Sequence, residues 1–185
     1  MMNWEELIEE CSNCEKCNLS KTRTNVVIGR GNTNADLMLV GEGPGKQEDA
    51  QGIPFVGAAG KLLDLLFNAL MMTEDMYYIA NIVKCRPPNN RVPFDEEAQQ
   101  CLPYLREQVK LVNPKIIVCL GATAIKYLVD KNARITKIRG QWIERKQFWI
   151  MPTFHPAALL RDESKKELMW ADLKKVKQKM NKLLI

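Results

Sequence analysis

Four short apolar runs do most to restrict what this 185-residue chain can fold into: Asp36–Gly41, Tyr77–Val83, Lys115–Leu120 and Phe148–Thr153. Each is almost continuously apolar instead of alternating, as strands covered on both faces are. Helical segments separate them. Ala58–Met71 is read as a helix with Leu62, Leu65, Leu66 and Ala69 on one stripe. Phe94–Val112 begins after Pro93 with Asp95, Glu96 and Glu97 in its first turn, where carboxylates favour the helix dipole. Gly121–Val129 follows the third run, and a last helix over Ser164–Leu184 aligns Met169, Leu173, Val176, Met180 and Leu183 as a core-facing stripe. Asn3–Glu10 reads as a short opening helix, and Gln141–Trp149 as a hairpin or irregular crossover. This order predicts an α/β fold: three α/β/α layers around a central, mainly parallel four-stranded sheet. No repeat, low-complexity tract or linker divides the chain, so residues 1–185 are read as a single domain.

Composition narrows the class. A chain that is 46% hydrophobic and 26% charged can bury a core, which excludes a disordered or collagen-like protein. No apolar run approaches the roughly 20 residues that span a bilayer. The acidic opening Met1-Met2-Asn3-Trp4-Glu5-Glu6 lacks a basic leader followed by an apolar stretch, so the expectation is a cytoplasmic chain without membrane contact. The formal charge of +5 permits a polyanionic partner without demanding one. Much of it comes from seven lysines beyond Asp162, read as a solvated helix face.

Open parallel sheets bind ligands beyond the carboxyl ends of their strands, so polar residues there matter most. The first run ends in Gly41-Glu42-Gly43-Pro44-Gly45, a tight turn that lets a ligand approach backbone N–H groups, with Glu42 its only charge. It is neither a Walker loop nor GxGxxG. The second run carries Asn81, whose amide needs partners once buried. The fourth leads into Thr153-Phe154-His155-Pro156-Ala157, which holds the only histidine. Singly, each has a plain explanation: a solvated carboxylate, an amide serving the backbone, a structural imidazole. Together they stand at one sheet edge, where the three groups suit recognition of a polar heterocycle and proton or water chemistry. Phe55, in a loop over the same edge, reads either as a stacking platform or as packing.

Six cysteines in a cytosolic chain point to metal binding or catalysis more than to disulfides. Cys119 sits inside an apolar run and reads as buried filler. Cys11, Cys14 and Cys17 form C-x-x-C-x-x-C, and Cys85 and Cys101 lie far downstream, sixteen positions apart. Four thiolates suit a [4Fe–4S] cluster or a structural zinc, and assembly from distant segments favours the cluster. Spacing leaves open whether Cys11 or Cys17 stands outside the set.

Gly41-Glu42-Gly43-Pro44-Gly45, Pro54-Phe55-Val56-Gly57, Asn81 ahead of Lys84-Cys85-Arg86-Pro87-Pro88-Asn89-Asn90-Arg91, and His155-Pro156-Ala157 together resemble the family 4 uracil-DNA glycosylases, the iron–sulfur type of bacteria and archaea. The resemblance runs from about Cys14 to Arg161. It implies a uracil-DNA glycosylase-like fold and a [4Fe–4S] cluster on Cys14, Cys17, Cys85 and Cys101, with Cys11 as an extra. It also implies a uracil pocket made by the backbone of Gly41, Glu42 and Gly43, with Phe55 stacking on the base and Asn81 reading its Watson–Crick edge. His155 would contact the carbonyl oxygen beside the scissile bond, and Glu42 is the candidate for water activation. The implied partner is uracil-containing DNA, met by a monomer; a replication clamp is a further partner left open. Lys84, Arg86 and Arg91 are expected to face phosphates, and Leu159-Leu160-Arg161 to wedge into the vacated stack and hold a phosphate. Two rival readings remain, a non-catalytic iron–sulfur DNA-binding or redox module and a nucleotide-binding enzyme, the second disfavoured because no Lys-Ser/Thr follows the glycine turn.

Overall fold

The computed structural model describes residues 2–183, so Leu184 of the last predicted helix lies outside the described residues. One sheet contains β1 (Arg30–Gly31), β2 (Leu37–Gly41), β3 (Tyr77–Asn81), β4 (Ile116–Leu120), β5 (Ile143–Glu144) and β6 (Trp149–Thr153). Its spatial order is β1-β3-β2-β4-β6-β5. The four predicted runs are its parallel centre. The expected count of four strands is corrected to six, because β1 and β5 add antiparallel edges. Two-residue strands carry no readable period, although β5 with β6 is the hairpin expected in Gln141–Trp149.

Around the sheet lie α1 (Trp4–Ser12), α2 (Lys46–Gln51), α3 (Ala58–Ala69), α4 (Asp95–Val112), α5 (Ala122–Leu128), α6 (Ile135–Ile138), α7 (Pro156–Arg161) and α8 (Lys165–Leu183). The pleat sorts side chains with period two. Leu37 and Leu39 of β2 face Leu63 and Phe67 of α3, Leu159 of α7 and Leu173 of α8. Met38 and Val40 face the opposite layer, with Leu102 and Leu105 of α4 and Ile125 of α5. A third cluster, Leu7, Cys11 and Tyr104, fastens α1 to α4. Cys119 is filler within β4, and burial pushes its thiol up to about 12.

The stripe expected on α3 is corrected. Gly60, Leu63 and Phe67 are its buried positions, with Leu62 and Leu66 flanking, while Leu65 is 67% exposed and Ala69 is exposed. The cause is Gly60: a Cβ there would stand 1.8 Å from the Phe55 carbonyl oxygen, so the loop presses on the helix at that point and sets its rotation. On α8, Met169, Leu173, Val176 and Met180 are buried as the stripe required, whereas Leu183, at the end of the helix, is exposed and is corrected. Its fully buried Asp172 accepts hydrogen bonds from Arg139 and, at 2.7 Å, from the Thr153 hydroxyl, tying the helix to the end of β6.

Because β3 and β4 flank β2 on opposite sides, successive crossovers leave on opposite faces and open a crevice at the carboxyl ends of β2 and β4. No helix among the described residues is long and apolar enough to cross a membrane.

Candidate active site

That crevice is a cavity of about 570 Å³ whose walls include Glu42, Gly43, Phe55, Asn81, Thr123, His155 and Arg161. Its volume is within the range of small-ligand sites. The carboxylate, amide and imidazole singled out in the sequence therefore meet in one place.

The glycine turn brings them close. A Cβ on Gly41 would stand 2.5 Å from Asn81 Oδ1 and 2.7 Å from the Phe55 ring, and one on Gly43 would stand 2.7 Å from Val83. Glycine is required by this close approach. Glu42 leaves the turn toward α5, where the Thr123 hydroxyl donates to its Oε2. Thr123 was not foreseen, since nothing in Gly121–Val129 marks it as more than a helix residue.

Asn81 closes β3. It is buried, and its Oδ1 has no hydrogen-bond partner within the protein. A buried acceptor left unpaired costs about 1–3 kcal/mol, and Asn81 stands on the cavity wall, where a ligand can supply the missing partner. Its own backbone carbonyl accepts from Lys84 Nζ at 2.7 Å.

His155 follows β6 and caps α7, its Nδ1 accepting from the Ala157 N–H at 3.1 Å. With Nδ1 an acceptor, the neutral ring carries its proton on Nε2. Desolvation, then the charge of Arg161, lowers its pKa to about 4, with Glu48 acting the other way. The imidazole is therefore neutral at physiological pH. Gly121, at φ +95°, admits it, because a Cβ there would stand 2.9 Å from His155 Cβ. Phe55 stacks beside it with ring centroids 5.5 Å apart.

Glu48, in the short helix α2, is a positioning residue that the sequence did not reveal. Its Oε1 accepts from the N–H groups of Val56 and Gly57 at 3.0 and 2.8 Å. Gly57 is the N-cap of α3, so Glu48 accepts from the two N–H groups just ahead of that helix and holds the Phe55 loop against the cavity. Glu48→Gln, which keeps the acceptor, is expected to retain thermal stability and ligand affinity. Glu48→Ala should lose several degrees of Tm and about tenfold in kcat/KM, read by melting and steady-state kinetics. Equal behaviour of the two variants would remove this role.

The expected DNA contacts divide. Arg161 is exposed at the cavity rim, and Leu160 just before it is exposed. Arg86 is part-exposed and bonded to the Asn90 side chain at 2.7 Å. Lys84 is corrected: it is 1% exposed, and its ammonium turns back under β3 to Asn81, out of reach of any phosphate. Leu159 is corrected too, because it lies on the sheet side of α7 in the core and cannot wedge into DNA. Arg91 lines the cavity, but both of its terminal nitrogens bind the Glu97 carboxylate, at 2.8 and 2.7 Å.

On the other side of β3, a pocket gathers Cys11, Cys14, Cys17, Cys85 and Cys101 from α1, the segment after it, the exit of β3 and α4. All five are free thiols. Among the described residues, no three Cys, His, Asp or Glu side chains converge on one point as ligands of a single metal ion. N–H groups are aimed at sulfur: the Lys84 backbone donates to Cys101 at 3.3 Å and Arg23 to Cys85 at 3.4 Å. Arg23, also absent from the expectations, donates to the Cys14 carbonyl at 2.6 Å as well.

Compared with known proteins, residues 28–177 match the model of the uracil DNA glycosylase superfamily. The chain is 44% identical over 192 residues to a type-4 uracil-DNA glycosylase of Thermotoga maritima, covering 98% of this chain and 99% of that one. A type-4 uracil-DNA glycosylase of Sulfurisphaera tokodaii is 43% identical over 187 residues, covering 96% and 85%. One from Saccharolobus solfataricus is 40% identical over 190 residues, covering 98% and 88%.

Proposed function

The chain belongs to the uracil DNA glycosylase superfamily, in its type-4 branch, and on that premise we propose that it excises uracil from DNA in base-excision repair, hydrolysing the N-glycosidic bond of deoxyuridine and leaving an abasic site. The observation that carries the reading is Asn81, its buried Oδ1 unpartnered, on the wall of a cavity that also holds a neutral imidazole. An acceptor there pairs with N3–H of uracil, and the amide NH₂ donates to O4. Cytosine offers the opposite groups at both places and leaves buried atoms unpaired, at about 1–3 kcal/mol each.

The base enters after leaving the helical stack and lies against Phe55, with the turn of Gly41, Glu42 and Gly43 beside it. Breaking the bond leaves positive charge on the sugar and negative charge on the base. Nε2–H of His155 donates to the uracil oxygen as that charge grows, in a site shielded from water. Glu42, one oxygen engaged by Thr123, has the other available to orient or deprotonate the attacking water and to offset the sugar's charge. Arg86 and Arg161 meet phosphates, and Leu160 enters the gap left by the base. A short oligonucleotide with one uracil, single- or double-stranded, incubated with the protein and then treated with alkali, tests this reading. Scission at the uracil supports it; an intact strand favours a non-catalytic DNA-binding module.

The thiol pocket suits a [4Fe–4S] cluster on Cys14, Cys17, Cys85 and Cys101, because N–H donors aimed at sulfur, the buried Lys84 and the part-exposed Arg23 guanidinium complement an anionic thiolate site. When bound, the cluster supplies cross-links rather than electron transfer, since glycosidic hydrolysis moves no electrons. The chain's own residues then join α1, the exit of β3 and α4 behind Asn81. Cys85→Ser is expected to abolish the absorbance near 400 nm and most of the bound iron, whereas Cys11→Ser keeps both. The reverse result would place Cys11 in the ligand set. We further propose that the enzyme works as a cytoplasmic monomer.

A further inference from the structure

The segment between the cavity rim and α4 displays apolar side chains where none is needed for folding. Val92 and Phe94 are 62% and 60% exposed, and Val92 lines the cavity mouth beside Arg91. Phe94 is the N-cap of α4, a position that favours Ser, Thr, Asp or Asn because their oxygens satisfy the first helical N–H groups. Phenylalanine supplies no acceptor there. Its ring is nevertheless held firmly: the Arg91 guanidinium lies 3.7 Å from the ring centroid, Glu97 grips that guanidinium through both carboxylate oxygens, and Glu97 also accepts from the Phe94 N–H at 2.8 Å. One face of the ring is covered by a cation and much of the rest is open to solvent.

We propose that Phe94, bracketed by Arg91 and flanked by Val92, is a stacking platform for an unpaired base of the substrate strand next to the extruded uracil. The inference rests on the uracil-excision reading and deepens it, by naming where the neighbouring nucleotide goes. The local charges choose a base over a phosphate. Arg91 is neutralised by Glu97, Asp95 is paired with Lys126, and Glu96 is unpaired, so this face is neutral to acidic. A preorganised aromatic surface continuous with the cavity suits a neutral π-face. Arg91 then serves as a bracket for the ring and not as a phosphate clamp.

Phe94→Thr separates this role from folding, because threonine restores the missing cap and completes a capping box with Glu97. The measurement is fluorescence anisotropy with a short single strand carrying a tetrahydrofuran abasic analogue in place of deoxyuridine. Phe94→Thr is expected to melt a few degrees higher than the wild type yet bind roughly 5- to 150-fold more weakly, the span of one base–aromatic stack. Phe94→Tyr should bind as the wild type does. The slope of log Kd against log salt should not change, since no phosphate contact is lost. Wild-type affinity in Phe94→Thr, or a weakened affinity accompanied by a shallower salt slope, overturns the platform while leaving uracil excision intact. A wild-type protein that releases no uracil sinks the parent reading, and this inference with it.

Discussion

Replacing His155 by alanine or by asparagine is expected to slow single-turnover uracil excision by roughly 10²–10³-fold, the usual effect of losing one donor to a developing anion. The two variants differ in stability, which separates chemistry from folding. His155 caps α7 through Nδ1, so alanine forfeits about 1 kcal/mol and a few degrees of Tm, while asparagine is a good cap and should melt near the wild type. Excision at the wild-type rate by both would take the imidazole out of the mechanism. The pH profile is a second reading of the same group. Its pKa is lowered to about 4 from 6.5, chiefly by desolvation, so between those values the unfolded chain binds a proton that the folded protein refuses. Stability from keeping the ring neutral is therefore complete above about pH 6.5 and declines as the pH falls toward 4. Excision should show no step near pH 6.5 arising from this histidine. A step there that disappears in His155→Asn would mean that the ring titrates normally.

What could be read from the chain, and what could not, follows from how each residue reaches the site. Glu42, Asn81 and His155 stand where an apolar run ends, and a parallel sheet puts all such ends on one edge, so their convergence was legible without coordinates. Glu48 and Thr123 were not, because their partners are eight and nine residues away in the first case and eighty-one in the second. Lys84 and Leu159 mislead for the opposite reason. Both neighbour site residues in sequence, but Lys84 folds back beneath the strand it follows, and Leu159 sits on the sheet side of a six-residue helix whose next residue, Leu160, faces solvent. Adjacency along the chain decides which edge a residue occupies. It does not decide which way the side chain turns.

Asn81→Leu is expected to move activity and stability in opposite directions. Leucine shares the branched outline of asparagine, with more bulk, and removes the orphan Oδ1, whose burial without a partner costs the free protein about 1–3 kcal/mol. The variant should therefore melt several degrees above the wild type, at about 2–4 °C per kcal/mol for a chain of this size. Excision should fall by at least about 10²-fold, since a site built to hydrogen-bond a ligand loses both of its contacts to the base edge. Residual discrimination between uracil and cytosine should collapse along with the rate, because an apolar edge favours neither. An asparagine serving only the protein would behave differently: its loss would strip hydrogen bonds from the fold and lower Tm. A destabilised Asn81→Leu that still excises uracil selectively would show that the amide supports the strand and that recognition of the base lies elsewhere. The sign of the stability change carries this distinction, because removing an unpaired buried atom relieves a cost to the free protein, whereas removing a paired one adds a cost.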